Sequence, residues 1–372
     1  MTVTILEGDA GERLRTMESD SVNSFVSSPP YYGLRSYLPT AHPLKQFELG
    51  LEETPDEYVA ALAGVFREAR RVLRSDGTFW LNLGDSYAGS GKGGNPIAGK
   101  QATNKGSQSV GTLYGTGMTA REAAVSNVTR KTFDGIKAKD LIGIPWRAAF
   151  ALQADGWYLR DAIVWAKPNG MPGSQEDRCT SSYEMIFLFS KSRTYWSDFD
   201  AIKTPPREST MVRTAQDVQA QAGSHRANGG GKTNGPMKAV GGRDKQRGHG
   251  RQHAGFNERW DAMERSQQQA QPATMRNVWF VPPANYAEAH FAVMPEEIAR
   301  RCILAGCPQG GIVCDPYFGS GTVGLVADRL GRDCVGIELN PEYANLARDR
   351  IKGDSPLFAE VSMGIAGVGG ER

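Results

Sequence analysis

Hydrophobic and polar positions in residues 1–85 alternate between the two periods that are typical of an α/β fold. Residues 22–27 begin with a short apolar run of β-branched and aromatic side chains, which predicts a buried strand. Residues 3–9 predict a strand that ends in Asp9, and a short helix is expected to follow it. Residues 78–85 predict the next strand. Because strands alternate with helices, we expect a parallel sheet.

The clearest helix is expected over residues 54–77. Its apolar side chains recur at helical spacing, at Tyr58, Leu62, Val65, Phe66, Ala69, Val72 and Leu73. Thr54 is placed to cap the first turn, with Pro55 directly after it and Glu57 at the capping-box position. Gly77 is expected to end this helix.

Two segments without periodicity interrupt this pattern. Residues 86–137 are rich in Gly, Ser and Lys, and residues 204–272 are rich in Gly, Gln and Arg. The first segment is too long for an ordinary connection, which indicates a functional or a disordered region. Regular patterning resumes over residues 138–203 and again over residues 273–352, and residues 353–372 are expected to form a loose tail.

Positive charge is concentrated in the same two segments. The chain has a formal net charge of +2, whereas residues 86–137 hold seven Lys/Arg against two acids and residues 204–272 hold eleven against six. Each segment therefore carries +5, and the remainder of the chain carries −8. Two basic segments on an acidic body favour a polyanion as partner. Two solvated surface loops would have the same composition, so charge alone leaves both interpretations open.

Composition argues against several other classes of protein. Apolar residues make up 40% of the chain and charged residues 23%, which suffices for a packed core. No apolar run approaches the roughly 20 residues of a membrane span, and residues 1–14 lack the basic and apolar regions of a signal peptide. The five cysteines are scattered and form no C-x-x-C pair. They indicate reduced core residues of a cytoplasmic protein, without a metal site.

Residues 310–343 predict a strand, a glycine-rich turn, a helix and a second strand that ends in an acid. Gly319, Gly321 and Gly324 form the G-x-G-x-x-G pattern of dinucleotide-binding turns, and Glu338 follows Gly319 by 19 residues. In that arrangement the glycines let a ligand lie against the backbone, and the acid accepts hydrogen bonds from the ribose hydroxyls. The spacing therefore predicts a site for an adenosine cofactor.

The start of this turn distinguishes between adenosine cofactors. Asp315 is expected to end the first strand, and an acid there suits a ligand with a positive amine better than one with a pyrophosphate. S-adenosylmethionine carries such an amine. The stretch closely resembles the cofactor motif D-P-F-x-G-S-G-T of S-adenosylmethionine-dependent DNA methyltransferases, with Tyr317 in place of its first Phe. This resemblance implies cofactor contacts from Asp315, Phe318, Gly319, Gly321, Thr322 and Glu338.

The position of this motif adds an expectation about topology. The sequence after Glu338 has room for one helix, so the other strands of a doubly wound sheet must come from residues 1–85. Asp9, at the end of the strand over residues 3–9, would then meet the exocyclic amine of adenine. We therefore expect one Rossmann-like α/β methyltransferase sheet with a circularly permuted order of motifs, plus inserted basic DNA-recognition segments.

The sequence S-S-P-P-Y-Y-G at residues 27–33 directly follows a predicted strand, and its two prolines fix two φ angles. The exocyclic nitrogen of cytosine or adenine is a poor nucleophile because its lone pair is delocalised, and a flipped base must be held against an aromatic face. Ser28 can supply a side-chain acceptor, Pro29 a carbonyl held rigidly by Pro30, and Tyr31 a stacking face. Such acceptors are preorganised for methyl transfer, although proline pairs are also typical of simple turns.

Further stretches are similar, in the same order, to the β group of amino DNA methyltransferases, in which the cofactor motif comes last. They are LNLGDSY, IPWRAAFALQADGWYLRDAIVWAKPN, SYEMIFLFSKSRTYW, RNVWFVPP and HFAVMPEEIARRCILAGCPQGGIVCDPYFGSGT. The resemblance covers most of residues 1–352. It implies that Phe291, Ala292 and Pro295 pack against the methionine part of the cofactor, whereas His290 is expected to be structural.

This resemblance also divides the chain into functional parts. Residues 1–85 and 138–203 would form the catalytic part of the methyltransferase domain, and residues 273–352 its cofactor-binding part. Residues 204–272 lie where the family has its target-recognition region, and their Arg, Lys, Gln and Asn side chains suit readout of base edges. Residues 86–137 could form a basic flap over DNA. Which segment reads bases and which contacts phosphates stays open.

The resemblance implies methyl transfer from S-adenosylmethionine to the N4 amine of a flipped cytosine in a specific DNA sequence. In the family, Ser at the position of Ser28 tends to mark cytosine-N4 enzymes and Asp tends to mark adenine-N6 enzymes. Adenine-N6 methylation is therefore the main alternative, and methylation of RNA or protein is a second. An NAD-dependent oxidoreductase would leave S-P-P-Y and the basic segments unexplained, and a DNA-binding protein without catalysis would not need the ribose acid.

The partners and the location follow from the same resemblance. Double-stranded DNA is the expected partner, and a cognate restriction endonuclease and a second copy of the chain are further candidates. The expected location is the cytoplasm, with no membrane association.

Overall fold

The computed structural model describes residues 1–34, 36–39, 41–89, 133, 135–170, 176–204, 274–284, 293–354 and 360–364. Most of both basic segments lies outside the described residues, as do His290, Phe291 and Ala292. The chain divides into two compact units, one of residues 1–198 with 276–372 and one of residues 199–275. In the second unit the structure describes a short 3₁₀ helix, Phe199–Ile202.

A sheet of nine strands, counted over the described residues, forms the centre of the first unit. In chain order the strands are β1 (Thr2–Glu7), β2 (Val22–Ser27), β3 (Leu73–Leu83), β4 (Tyr158–Ala166), β5 (Tyr183–Ser190), β6 (Val278–Phe280), β7 (Ile312–Asp315), β8 (Asp333–Glu338) and β9 (Glu360–Gly364). Their order across the sheet is β6-β4-β5-β3-β2-β7-β8-β1-β9. β5 runs antiparallel to its neighbours β3 and β4, and the other neighbouring pairs are parallel.

Strands from the two halves of the chain are interleaved in this sheet. β1 lies between β8 and β9, and β2 lies between β3 and β7. The prediction that one α/β sheet is built from both halves of the chain is confirmed. The ninth strand, β9, falls within residues 353–372, which were expected to form a loose tail. Its backbone pairs with β1, with Thr2 beside Glu360.

The described α-helices of the first unit are α1 (Ala10–Thr16), α2 (Pro55–Val72), α3 (Ile144–Ala154), α4 (Glu296–Gly306), α5 (Thr322–Arg329) and α6 (Pro341–Asp354), and a 3₁₀ helix spans Pro43–Phe47. Adjacent residues of β3 show that helices cover both faces of the sheet. The ring of Phe79 packs against Phe66 on α2, whereas Trp80 lies against Gly306 at the end of α4. Successive side chains of a strand point to opposite faces, so α2 and α4 lie on opposite sides.

The start of α2 forms as the sequence predicts. The Thr54 hydroxyl accepts a hydrogen bond from the Glu57 amide at 3.2 Å, and the Glu57 carboxylate accepts one from the Thr54 amide at 3.1 Å. This reciprocal pair is the expected capping box. The predicted end of the helix is wrong, because α2 ends at Val72 and β3 begins directly at Leu73.

Pairing in the sheet explains this early end. Leu73 lies beside Val22 on β2, and its side chain is fully buried. Extending the helix to Gly77 would remove Leu73 from the core. Gly77 instead lies within β3, where a Cβ atom would approach the Leu73 Cδ1 atom to 2.4 Å. Gly77 therefore makes room for Leu73.

Four of the five cysteines are buried and free, as expected, namely Cys302, Cys307, Cys314 and Cys334. Cys179 is exposed, so its assignment to the core is wrong. Burial raises the pKa of the Cys307 thiol to about 12. Over the described part of the chain, no helix has the length and apolar character that crossing a membrane requires.

Candidate active site

A cavity of about 630 Å³ opens beyond the carboxyl ends of β1, β2, β7 and β8. Its lining includes Asp9 after β1, Ser28 after β2, Asp315 at the end of β7 and Glu338 at the end of β8. Ligands of open α/β sheets bind at this edge, and the volume is typical of small-molecule and cofactor sites. The structure therefore brings the predicted catalytic and cofactor motifs to one cavity.

Glu338 is held at the end of β8 by backbone donors. One carboxylate oxygen accepts from the Gly319 amide at 2.7 Å, and the other accepts from the Asn340 amide at 2.8 Å. A carboxylate has about four acceptor positions, so it can still accept from a ligand. Burial raises the pKa of Glu338 to about 7, in spite of these two donors.

The three glycines of the turn have different functions. Gly319 lines the cavity, and a Cβ atom there would meet no atom within 4 Å. Gly321 has a φ of +76°, and its Cβ would lie 2.8 Å from the Cβ of Ala347 on α6. At Gly324 a Cβ would lie 2.5 Å from the Phe318 ring. Gly321 is not among the described residues that line the cavity, and its lack of a side chain allows close packing of α6.

Phe318 and Thr322 both line the cavity, but each side chain also makes contacts that stabilise the fold. The Phe318 ring lies where a Cβ on Gly336 would come within 2.3 Å, and the residue is 3% exposed. The Thr322 hydroxyl accepts a hydrogen bond from Arg350 Nη1 at 2.9 Å. These two side chains support the glycine turn through their contacts with the fold.

Two aspartates reach the cavity from β7 and β1. Asp315 is buried, and one of its oxygens accepts from the Ser27 hydroxyl at 2.7 Å and from the Tyr317 amide at 3.0 Å. Burial raises the pKa of Asp315 to about 7. Asp9 follows β1 and caps α1, where its side chain accepts from the Glu12 amide at 2.8 Å.

The cavity is strongly acidic. Five carboxylates line it, at Asp9, Glu48, Glu52, Asp315 and Glu338, and no Lys, Arg or His is found in its lining among the described residues. Lys45 pairs with Glu48 from outside the lining. Such a surface attracts a cation and repels a pyrophosphate. The fold and the cavity thus define an α/β enzyme with a site for a cationic adenosine cofactor, a description that S-adenosylmethionine fits and NAD does not.

The S-P-P-Y segment is anchored at two of its three successive carbonyls. The Pro30 carbonyl accepts from the Tyr58 hydroxyl of α2 at 2.7 Å. The Tyr31 carbonyl accepts from the Leu34 amide at 3.3 Å. The Pro29 carbonyl accepts from no donor in the described part of the chain, and Ser28 and Pro30 line the cavity. The turn is therefore fixed while one carbonyl keeps its acceptor capacity.

Tyr31 is part of a polar network that the sequence did not reveal. Its hydroxyl lies 2.5 Å from a carboxylate oxygen of Glu184 and 3.1 Å from Asn82 Oδ1. The Ser28 hydroxyl lies 3.3 Å from the same Asn82 oxygen and 3.4 Å from the Tyr31 hydroxyl. Lys167 pairs with the other oxygen of Glu184. Burial, then the charge of Glu184, raises the pKa of Tyr31 well above its usual range.

Tyr31, which was predicted as a stacking face, is not among the described residues that line the cavity. A Cβ atom on Gly84 would lie 2.6 Å from Cε2 of the Tyr31 ring, so the end of β3 packs closely on one side of it. Asn82, Lys167 and Glu184 belong to this network but were not predicted from the sequence. A signal was present, because Asn82 and Glu184 interrupt the apolar patterns of β3 and β5.

Comparison with known proteins identifies the family. A family model for DNA methylases of the N6/N4 type matches residues 22–349. The type II methyltransferase M.SmaI of Serratia marcescens is 38% identical over 93% of this chain and 90% of its own length. M.Cfr9I of Citrobacter freundii is 37% identical over 94% of this chain and 88% of its own length. The chain therefore belongs to the N6/N4 DNA methylase family: it is a DNA methyltransferase whose methyl donor is S-adenosylmethionine.

Two solved structures are also similar over most of the chain. The PvuII DNA methyltransferase, described as cytosine-N4-specific, is 15% identical, covers 97% of this chain and 96% of its own, and has a TM-score of 0.49. M1.HpyAVI in complex with S-adenosylmethionine is 14% identical, covers 94% of this chain and 99% of its own, and has a TM-score of 0.45.

Proposed function

We propose that this methyltransferase modifies the N4 amine of cytosine in a specific DNA sequence. The observation that carries the proposal is Ser28, which lines the acidic cavity directly after β2. In the family, a serine at this position tends to mark cytosine-N4 enzymes, and an aspartate tends to mark adenine-N6 enzymes. Adenine-N6 methylation would use the same acceptors and is the alternative outcome of the test below.

We assign the cofactor contacts from the cavity lining. Glu338 has acceptor capacity left for the ribose hydroxyls, and Asp315 and its acidic neighbours favour the positive amine. Asp9 lies just after β1, at the cap of α1, where the adenine amine is expected. The segment before α4 also reaches the cavity, since Val293 and Met294 line it. That placement supports the family's contact from Phe291 and Pro295, although Phe291 lies outside the described residues.

The same residues account for the chemistry. The bound cofactor supplies an electrophilic methyl group on a sulfonium. Ser28 Oγ and the Pro29 carbonyl would accept the two hydrogens of the target amine, which localises its lone pair on nitrogen. Their rigid positions mean that little reorganisation is needed during the reaction. No cysteine occurs in the described lining of the cavity, so attack on a ring carbon of the base has no thiol nucleophile here.

We further propose that residues 86–137 and 204–272 contact DNA, the second as the target-recognition region. Each carries a net charge of +5, and DNA affinity should therefore fall with salt by a log–log slope of about −0.9 per phosphate neutralised. Replacing their Lys and Arg side chains by Gln should flatten this slope and leave cofactor affinity intact. A slope unaffected by these substitutions would show that the segments are only solvated surface.

The names of the two relatives, both type II methyltransferases, support a role in restriction and modification. A restriction endonuclease with the same target sequence is therefore a proposed partner. DNA methylated by this enzyme should resist that endonuclease, whereas DNA treated without the cofactor should be cleaved.

The product of the reaction tests the proposal directly. Bulk DNA is methylated with labelled S-adenosylmethionine, digested to nucleosides and separated by chromatography. Label in N4-methylcytosine is the expected result. Label in N6-methyladenine would establish the alternative, and label in 5-methylcytosine would overturn the proposed chemistry.

A further inference from the structure

Glu184 is a carboxylate in a mostly apolar strand. β5 has the sequence YEMIFLFS, and the Glu184 side chain is only 13% exposed. One of its oxygens pairs with Lys167, which neutralises the charge. The other accepts from the Tyr31 hydroxyl at 2.5 Å and from Asn82 Nδ2 at 3.2 Å. A buried charge is costly unless it is paired and hydrogen-bonded. Two of the partners, Tyr31 and Asn82, also contact Ser28, which lines the cavity.

The available hydrogens fix the direction of the bonds. Tyr31 has one hydroxyl hydrogen, and the short distance to Glu184 assigns it to the carboxylate. The two Nδ2 hydrogens of Asn82 go to Glu184 and to the Met185 carbonyl at 3.1 Å. The Ser28 hydrogen must then be donated inward, to the Tyr31 hydroxyl or to Asn82 Oδ1. The lone pairs of Ser28 are therefore left to face the cavity.

We propose that Ser28, Tyr31 and Glu184 form a proton relay in which Glu184 is the final acceptor. Glu184 is a positioning residue, because it acts on the target amine only through Tyr31 and Ser28. The inference rests on the proposed methylation of an exocyclic amine, and it holds for cytosine and adenine alike.

The relay balances the reaction. The target nitrogen forms a bond to the methyl carbon as the bond from that carbon to sulfur breaks, and the nitrogen becomes positively charged. Its proton moves to Ser28 Oγ, the Ser28 proton moves to the Tyr31 hydroxyl, and the Tyr31 proton moves to Glu184. The products are a neutral methylated amine, a neutral thioether and a protonated Glu184, which then loses the proton to solvent.

The properties of Tyr31 suit the transfer of a proton from Ser28 to Glu184. Burial and the charge of Glu184 raise its pKa well above the usual range, so the phenol stays neutral and takes one proton as it gives another. The step from Ser28 to Tyr31, at 3.4 Å, is long for a hydroxyl pair. Catalytic hydrogen bonds are often long in free enzymes and shorten in the substrate complex.

Two variants test the relay with saturating cofactor and DNA. Glu184→Gln keeps the shape and removes the basic acceptor, and Tyr31→Phe keeps the ring and removes the hydroxyl. Each should lower the single-turnover methylation rate by about 10²-fold, the lower end of general acid–base contributions. The Kd for S-adenosylmethionine and the KM for DNA should stay within about twofold, because neither variant removes a residue from the cavity lining.

The double variant and a matched control separate the relay from a structural effect. If both residues act in one relay, the double variant should be no slower than the slower single variant, since coupled residues are not additive. Ser24→Ala is the control, because its hydroxyl also bridges β2 and β3, to Thr78 Oγ1 at 3.0 Å, but lies away from the cavity. It should lower the melting temperature and keep the methylation rate.

Several results would overturn the relay. They are a Glu184→Gln rate within about twofold of wild type, additive losses in the double variant, or losses in rate that are matched by losses in cofactor and DNA binding. The identity of the wild-type product is measured separately. A product of N6-methyladenine would refute the cytosine proposal and leave the comparison of rates valid.

Discussion

The two sides of the cavity hold their functional groups in different ways. On the proposed cofactor side, the Glu338 carboxylate is fixed by backbone amides of Gly319 and Asn340. On the proposed catalytic side, the Ser28 hydroxyl is fixed by side chains of Tyr31 and Asn82, which depend on Glu184. A backbone hydrogen-bond partner survives most substitutions around it, whereas a side-chain partner does not. Substitutions on the Glu338 side should therefore change cofactor affinity, whereas substitutions on the Ser28 side should change the methylation rate.

The largest effect is expected at Ser28. Ser28→Ala removes one preorganised acceptor and should lower the methylation rate by about 10²–10³-fold, as the loss of an oxyanion-hole donor does. The Kd for S-adenosylmethionine should change little, because among the described residues Ser28 makes no hydrogen bond to the glycine turn. Single-turnover kinetics and calorimetry measure the two quantities. An equal loss in methylation rate and in cofactor affinity would contradict the expectation that the two sides of the cavity act separately.

A somewhat smaller effect is expected from crowding Tyr31. Gly84→Ala places a Cβ atom 2.6 Å from the Tyr31 ring, so the ring must move. A displacement near 1 Å can lower a rate by about 10²-fold, and cofactor affinity should again be retained. Gly64→Ala in α2 is the control, since a Cβ there meets no atom within 4 Å. Unchanged kinetics for Gly84→Ala would show that the position of Tyr31 is not critical.

On the cofactor side, the expected effect is on affinity. Glu338→Gln replaces a charged acceptor by a neutral one and should cost about 1.5–3 kcal/mol, or roughly 10–150-fold in the Kd for S-adenosylmethionine. At saturating cofactor the methylation rate should stay near wild type. Glu342→Gln, an exposed carboxylate on α6, is the matched control. Calorimetry that finds the Kd unchanged in Glu338→Gln would refute the assignment to the ribose.

The smallest effect for a single carboxylate is a dependence of cofactor affinity on pH. Burial raises the pKa values of Asp315 and Glu338 to about 7, and a cationic cofactor favours their ionised forms. Lowering the pH from 8 to 6 should therefore weaken binding by about tenfold for each carboxylate that contacts the cofactor. Isothermal titration at three pH values measures this trend, and a constant or tighter Kd at pH 6 would contradict it.

Stability of the free protein should change in the opposite sense. The pKa values of Asp315 and Glu338 rise from 3.8 and 4.5 to about 7 on folding. The folded state thus binds more protons than the unfolded state in this interval. These two groups then lower the free energy of unfolding as the pH increases from about 4 to 7. A bound cofactor that keeps both carboxylates ionised should offset that loss.

The cofactor side could be predicted because its parts are close in sequence. Residues 310–343 contain β7, the turn, α5 and β8, and the acid that contacts Gly319 comes only 19 residues later. Glycine spacing did not show that Gly321 serves helix packing, because that function depends on Ala347 of α6. The pattern of residues thus identified the motif better than it identified the function of each glycine.

The catalytic side could be predicted only in part, because its parts are distant in sequence. Ser28 to Tyr31 are contiguous, but Asn82 and Glu184 reach them from β3 and β5. The pairing of those strands depends on long-range contacts, which the local periodicity of hydrophobic residues does not predict. The same reason accounts for the wrong end of α2, where pairing of Leu73 with Val22 prevails over helical spacing.

The interleaving of strands has a consequence for synthesis on the ribosome. The partners of β1 among the described strands are β8 and β9, and translation at 5–20 residues per second reaches β8 roughly 15–65 s after β1. Until then the buried side chains of β1, such as Val3 and Ile5, have no sheet to join. The nascent chain consequently lacks the proposed adenosine site and exposes an unpaired strand, a feature that favours aggregation.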